Sequence, residues 1–222
     1  MSGGRLELRT LTGQVREGDL RSTPPLHSVL RVASPADFAR ARDFTNAHHS
    51  YIKWANRPSR KLYWLLFIGG SLVGVFALAS AFARPKAVAE YMAKYKMAFN
   101  EVANNIIYCL HGHEDRNAGT RFLSLCRRDA KAWWGERYGD TLKALQTFVL
   151  PATNRVGTVY KADNWEYLGE TAGKTIVTKT IRADDAVNHP KAERRVFKSG
   201  EIVYLERSFA VTPPKLIYMR RV

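Results

Sequence analysis

The chain has 222 residues, 45% hydrophobic and 11% aromatic, which suits one substantial core and excludes a disordered tail. Its net charge is +15, from 35 Lys and Arg against 20 Asp and Glu, which favours a polyanionic partner. Nucleic acid is the first candidate and an anionic membrane surface the second. The two cysteines, Cys109 and Cys126, each lie in an apolar run and form neither a disulfide framework nor a zinc spacing. They point to a reducing, cytoplasmic setting.

In chain order, Met1-Ser2-Gly3-Gly4-Arg5 leads into polar sequence with no apolar signal core, so no secretory or transit peptide is expected. Residues 1–33 read as an N-terminal segment with one strand, Leu6 to Leu11, and a loop through Pro24-Pro25. A single domain over residues 34–222 is expected to follow. Ser34-Pro35-Ala36-Asp37 is a helix start: serine caps, proline suits the first helical position, and Asp37 meets the positive helix end. That helix should end near His48.

Leu62 to Ala83 gives 22 residues without a charge, flanked by Arg60, Lys61 and Arg84. The length alone would allow a membrane-spanning helix. Gly69-Gly70-Ser71 punctuates the middle, however, and the stretch reads as two strands, Leu62–Ile68 and Leu72–Leu78, buried on both faces. Pro85 opens a helix carrying Val88, Met92, Tyr95, Phe99 and Val102 at spacings of three and four. Asn105 to Leu110 reads as a strand, His111 to Arg116 as a polar loop, and Asn117 to Trp134 as a helix. Leu142–Leu150 is a strand, Val156–Asn164 a short helix, and Glu166–Leu168 a strand start. The remainder is mostly strands, with a loop at Asn188-His189-Pro190. Alternating strands and helices predict an α/β fold.

Gly169-Glu170-Thr171-Ala172-Gly173-Lys174-Thr175 falls one residue short of a phosphate-binding loop, and Ile176-Val177-Thr178 after it favours a strand where a helix is needed. More telling is the turn into the helix at Asn117. It brings Arg116, Asn117, Gly119 and Thr120 to a helix N-terminus, where free N–H groups and the dipole favour an anion. Tyr160 then lies near the end of the short helix, ahead of Asn164 and Trp165.

In order and spacing these elements resemble the GNAT acetyltransferase superfamily. Its pyrophosphate loop is matched by Arg116-Asn117-Ala118-Gly119-Thr120-Arg121, with Arg121 where a small residue is usual. Tyr160-Lys161-Ala162-Asp163-Asn164-Trp165 is similar, more specifically, to the Mom-type phage DNA-modification proteins. His48-His49-Ser50-Tyr51 matches those proteins' segment before the hairpin, and Trp133-Trp134 with Arg137-Tyr138-Gly139 looks similar too. The resemblance covers roughly residues 40 to 180.

It implies a GNAT-like single domain of the α/β (α+β) class, with a mixed central sheet and flanking helices. The implied activity is transfer to the N6 amine of adenine in double-stranded DNA, leaving a carbamoylmethyl-type group that protects phage DNA from restriction in a bacterial host. Tyr160 would act as general acid, with His48 or His49 as base or metal ligand and Tyr51 beside them. Arg116, Asn117, Gly119 and Thr120 would hold a cofactor. Asn164 and Trp165 would meet substrate, and Arg57, Arg60, Lys61, Lys174 and Lys179 would meet phosphates. Acetyl-CoA or a related donor and a metal ion, iron, are the cofactors in view, although no ligand spacing establishes a metal. The alternatives are an ordinary N-acetyltransferase of a small amine or protein, and a non-catalytic DNA-binding or single-span membrane accessory protein.

Each site residue also has a plainer reading. His48 and His49 could satisfy helix-end carbonyls, and Tyr160 and Trp165 could be core aromatics. Asn164 could supply a left-handed turn.

Overall fold

A computed structural model describes residues 9–10, 27–50, 59–151, 156–173, 175–197 and 199–222. The uncharged stretch is a hairpin: β3 (Lys61–Ile68) and β4 (Ser71–Ser80) pair antiparallel, with Leu65 opposite Val75 and Trp64 opposite Phe76. Gly69 and Gly70 make the turn at φ +57° and +82°, a left-handed path that side chains resist. Both faces are buried, as the missing charges require. One face packs Tyr63, Leu65, Val75 and Ala77 with Ala41 and Phe38 of α1 (Pro35–His48). The other sets Trp64 edge-on to Trp133, and Phe76 edge-on to Phe122, of α3 (Ala118–Tyr138). No described helix is long and apolar enough to cross a membrane.

The N-cap of α1 follows its sequence signal, whereas α3 runs to Tyr138, four residues past the expected end at Trp134. Ser34 Oγ accepts the Asp37 amide at 3.1 Å. Gly139 ends α3 at φ +70°, its amide on the Gly135 carbonyl. Asp129 on α3 takes Arg31 of β2 (His27–Arg31) through two bonds, of 2.6 and 2.8 Å, and the Trp64 indole at 2.8 Å, pinning helix to sheet.

The chain falls into two compact units: Met1–Phe148 with Gly157–Gly169 and Ile217–Val222, and Val149–Val156 with Glu170–Leu216. The first is a helix-flanked mixed sheet, the predicted α/β class. With β1 (Arg9–Thr10), β5 (Val102–Leu110), β6 (Ala144–Val149), β7 (Glu166–Glu170) and β11 (Leu216–Arg221), the strand order is β1-β2-β3-β4-β5-β6-β11-β7. β1 to β5 pair antiparallel, whereas β5 and β6 are parallel and pair only from Val102–Ala144 to Asn104–Gln146. The second unit holds a three-stranded sheet, β8-β10-β9, made from β8 (Thr175–Arg182), β9 (Glu193–Val196) and β10 (Ile202–Val211). The strand β8 begins at Thr175, so the phosphate-loop look-alike is followed by a strand and not by a helix.

Two expectations need correction. The helix after Pro85 does not reach Val102: α2 (Lys86–Lys94) stops early, and Lys96 turns left-handed at φ 51°. Val102 is drawn into β5 instead, fully buried beside Ala144. Residues 1–33, expected to hold one strand at Leu6 to Leu11, also contribute β2, whose pairing with β3 is invisible along the chain.

Candidate functional site

The centre of the site is an irregularity in β5. Ala77 pairs with Ile107 but Leu78 with Asn105, so Ile106 is an extra residue, a β-bulge. The Asn105 amide group pins it, its Nδ2 donating to the carbonyls of Ala77 at 2.9 Å and Ile107 at 2.7 Å. Those two acceptors fix which way the amide faces. Its Oδ1 then accepts the Tyr160 hydroxyl at 2.6 Å.

Tyr160 lies on α4 (Thr158–Ala162) and is 6% exposed. Gly157 starts this helix at φ +69°, where a Cβ would stand 2.6 Å from the Tyr218 ring, so only glycine lets the two meet. The Tyr160 ring stacks on Tyr218 and meets Trp165 edge-on. Asn164 is left-handed at φ +57°, as the turn reading anticipated, and its carbonyl accepts Arg220. Trp165 is 4% exposed and donates to Asp163 at 2.9 Å. Asp163, also buried, receives Arg127 of α3 through bonds of 2.7 and 3.0 Å. Sequence reasoning missed Asn105, Asp163 and Arg127; the acid inside the Tyr160–Trp165 motif was the available signal.

The N-terminus of α3 lies beside this corner. Asp115 takes the amides of Asn117 and Ala118, leaving those of Gly119 and Thr120 with no acceptor among the described residues. A Cβ at Gly119 would stand 2.6 Å from the Tyr108 hydroxyl and 3.8 Å from Val159, the neighbour of Tyr160. The two predicted elements therefore meet at Gly119. Arg116 is exposed there, and Arg121 reaches back to Asp115 at 3.5 Å. The Tyr108 hydroxyl is buried with no partner among the described residues, and burial beside Tyr160 and Cys126 holds it well above its ordinary pKa.

The histidines sit elsewhere. His48 ends α1 and stacks on His111, centroids 4.0 Å apart and rings 12° from parallel, while the His49 amide caps Thr45. Six strand positions, about 20 Å at ~3.3 Å per residue, separate Asn105 from His111. The Tyr160 hydroxyl thus meets β5 within the strand, at Asn105, whereas the His48 imidazole stacks on His111 just past its end. Tyr51, Arg57 and Lys174 lie outside the described residues. Among the described residues no three His, Cys, Asp or Glu side chains gather as a metal site would need.

Of the cations named as phosphate contacts, Arg60 and Lys179 already have side-chain partners, whereas Lys61 is bonded through its backbone. Arg60 pairs with Asp140 and lies over the Trp134 ring at 5.1 Å. Lys61 gives its backbone N–H and C=O to Tyr138, and partial burial lowers its ammonium pKa. Lys179 meets His189 Nε2 at 3.1 Å. Asn164 lines an open cavity of about 520 Å³ with Tyr91, Tyr95, Arg220 and Arg221.

Known structures with a similar course include the Escherichia coli ribosomal-protein-S18-alanine N-acetyltransferase, at 10% identity and a TM-score of 0.45 over 88% of this chain and 93% of that one. FeeM, an N-acyl amino acid synthase from uncultured soil microbes, is 13% identical with a TM-score of 0.47, over 89% and 90%. A Bacillus subtilis acetyltransferase in complex with CoA is 9% identical with a TM-score of 0.44, over 87% and 97%. No curated protein matches the sequence. The Mom protein family model matches residues 30–212, most of the chain, and the chain belongs to that family.

Proposed function

We propose that the chain is a transferase that modifies the exocyclic N6 amine of adenine in double-stranded DNA. The product is a carbamoylmethyl-type adenine that shields phage DNA from restriction in the bacterial cytoplasm. The observation that carries this reading is the seating of Tyr160 on Asn105 beside the open α3 N-terminus, in a chain of the Mom family. The target amine is enclosed in duplex DNA, so the base must leave the stack to be reached.

The amides of Gly119 and Thr120, with the exposed Arg116, suit the phosphates of a donor such as acetyl-CoA. Gly119 lets that donor approach the helix backbone closely, as a side chain there would not. Such a donor, when bound, supplies an activated acyl carbon. Tyr160 on α4 serves as the proton source, and its hydroxyl must release Asn105 to protonate a leaving group. Direct attack of the amine on a thioester carbonyl gives an N6-acetyl amide, whereas a carbamoylmethyl group is joined through its methylene carbon. Acyl transfer from acetyl-CoA therefore does not make the proposed product, whose methylene carbon and amide nitrogen need a donor of another class, and the mass of the product separates the two transfers.

The test is nucleoside mass analysis of DNA from cells with and without the gene. A carbamoylmethyl-type adenosine supports the reading, and unmodified DNA overturns it. An acetylated protein or small amine with unmodified DNA would favour the ordinary acetyltransferase. Tyr160→Phe should fold and lower modification by about 10² or more. Wild-type modification in a folded Phe variant would leave Tyr160 as packing. His48→Ala and His49→Ala, made separately, test whether either imidazole is needed.

A further inference from the structure

The second unit carries exposed cations of two kinds, those with a side-chain partner and those with none among the described residues. Lys179 rests on His189, and Arg207 on Glu193 at 2.8 Å. Arg182, Arg194 and Arg195 are exposed and meet no acid among the described residues. Register organises two of them. Val203 of β10 faces Arg182 on β8 and Arg195 on β9, so both stems rise from one face of the sheet. Two strand spacings, about 10 Å, separate them.

Beyond β9 the ribbon stays paired. The Phe197 amide donates to Glu201 O at 2.8 Å, and its carbonyl accepts Gly200 N at 2.9 Å. Gly200 closes the turn at φ +84°. The alternation of strand side chains sets Phe197 on the face of Arg195. It is 45% exposed, and Val196 beside it is 51% exposed. A water-exposed aromatic at the end of an arginine-bearing two-stranded ribbon has no folding role on view.

We propose that the β8-β10-β9 sheet is a DNA-gripping element: Arg182 on β8 and Arg195 on β9 hold phosphates on the two sides of a groove, and Phe197, at the tip of the β9–β10 hairpin, enters between bases. This rests on the reading of the chain as a DNA modifier. Groove widths of about 6 and 12 Å bracket the spacing of the two stems. Two-stranded ribbons fit DNA grooves, and apolar side chains inserted at a base step unstack it. An enzyme whose target amine lies inside the duplex needs that unstacking.

The full chain is titrated onto a duplex oligonucleotide with 2-aminopurine in place of one adenine, over a series of salt concentrations. Arg182→Gln with Arg195→Gln should weaken binding to all sequences alike and reduce the log–log salt slope by about 1.8, near 0.9 per phosphate. Phe197→Ala should keep that slope but lose the 2-aminopurine fluorescence rise that reports unstacking, and Phe197→Trp should restore it. Circular dichroism confirms the fold of each variant; should the double variant fail to fold, each single Gln variant is expected to lower the slope by about 0.9. An unchanged slope in folded arginine variants, while wild type binds steeply, overturns the grip and leaves the proposed function standing. If the substitutions instead abolish binding to phosphatidylserine vesicles and spare DNA, the surface is a membrane contact and the grip is refuted. Wild-type protein that neither binds DNA nor alters its nucleosides refutes both.

Discussion

The chain contains two hairpins of opposite character. In β3–β4 the strands carry no charge beyond Lys61, and Leu62–Leu66 and Val73–Ala79 are buried. In β9–β10 the four residues of β9 are all exposed, and two of them are arginines that meet no acid among the described residues. The motif is the same, but one holds the molecule together and the other presents itself to solvent. Charge pattern separates them: an uncharged strand has to be enclosed, whereas an arginine strand at a sheet edge has to meet water or a polyanion.

Raising the pH should strike the buried hairpin hardest. Burial pushes Tyr63 on β3 up to about 12, as it does Tyr91 on α2, and Tyr108 on β5 well above its ordinary value. A proton held more tightly in the folded state gives stability that is complete below pH ~10, the unfolded tyrosine value. It is lost as pH climbs through about 12. Tyrosinate absorbance should therefore rise together with unfolding; tyrosines titrating freely near pH 10 in a folded chain would contradict the burial.

Phe76→Ala on β4 empties a site of 0% exposure and should cost about 3–5 kcal/mol in denaturant unfolding. Asp163→Ala leaves Arg127 unmatched in a partly buried setting and frees the Trp165 indole, and should cost about 3 kcal/mol. A loss below 1 kcal/mol would mean that this pair is far wetter than its geometry implies. Gly119→Ala forces Tyr108 or the first turn of α3 to shift, at about 1–3 kcal/mol, and should weaken CoA binding in calorimetry more than it lowers stability. Phe197→Ala should change stability by no more than about 0.5 kcal/mol. A larger loss would place Phe197 in a core and narrow the contrast between the hairpins.

What could be read along the chain was what neighbours in sequence decide. Ser34-Pro35 marked the start of α1, Gly69-Gly70 the turn, and Asn164 the left-handed step after α4. Pairing across distance was hidden. β2 owes its existence to β3, and Val102 left the periodic pattern of α2 because Ala144 lies beside it. The site divides the same way. Tyr160 and the α3 N-terminus stood out, but Asn105 is 55 residues from Tyr160 and Arg127 is 36 from Asp163. Cations were the weakest guide, since composition counts Arg60 and Lys179 as free whereas Asp140 and His189 already hold them.

The strand order also has a consequence in time. β11 lies between β6 and β7, and Tyr218 on β11 stacks against Tyr160. β7 ends at Glu170, and β11 begins at Leu216, 46 residues later by subtraction. At ~5–20 residues per second, a ribosome needs roughly 2–9 s to make that stretch. Until then β6 and β7 have no strand between them, and the Tyr160 corner stands without its stacking partner. A nascent chain held in that interval offers an unpaired edge to its neighbours, so slow codons between Glu170 and Leu216 should raise aggregation more than the same codons placed ahead of β6.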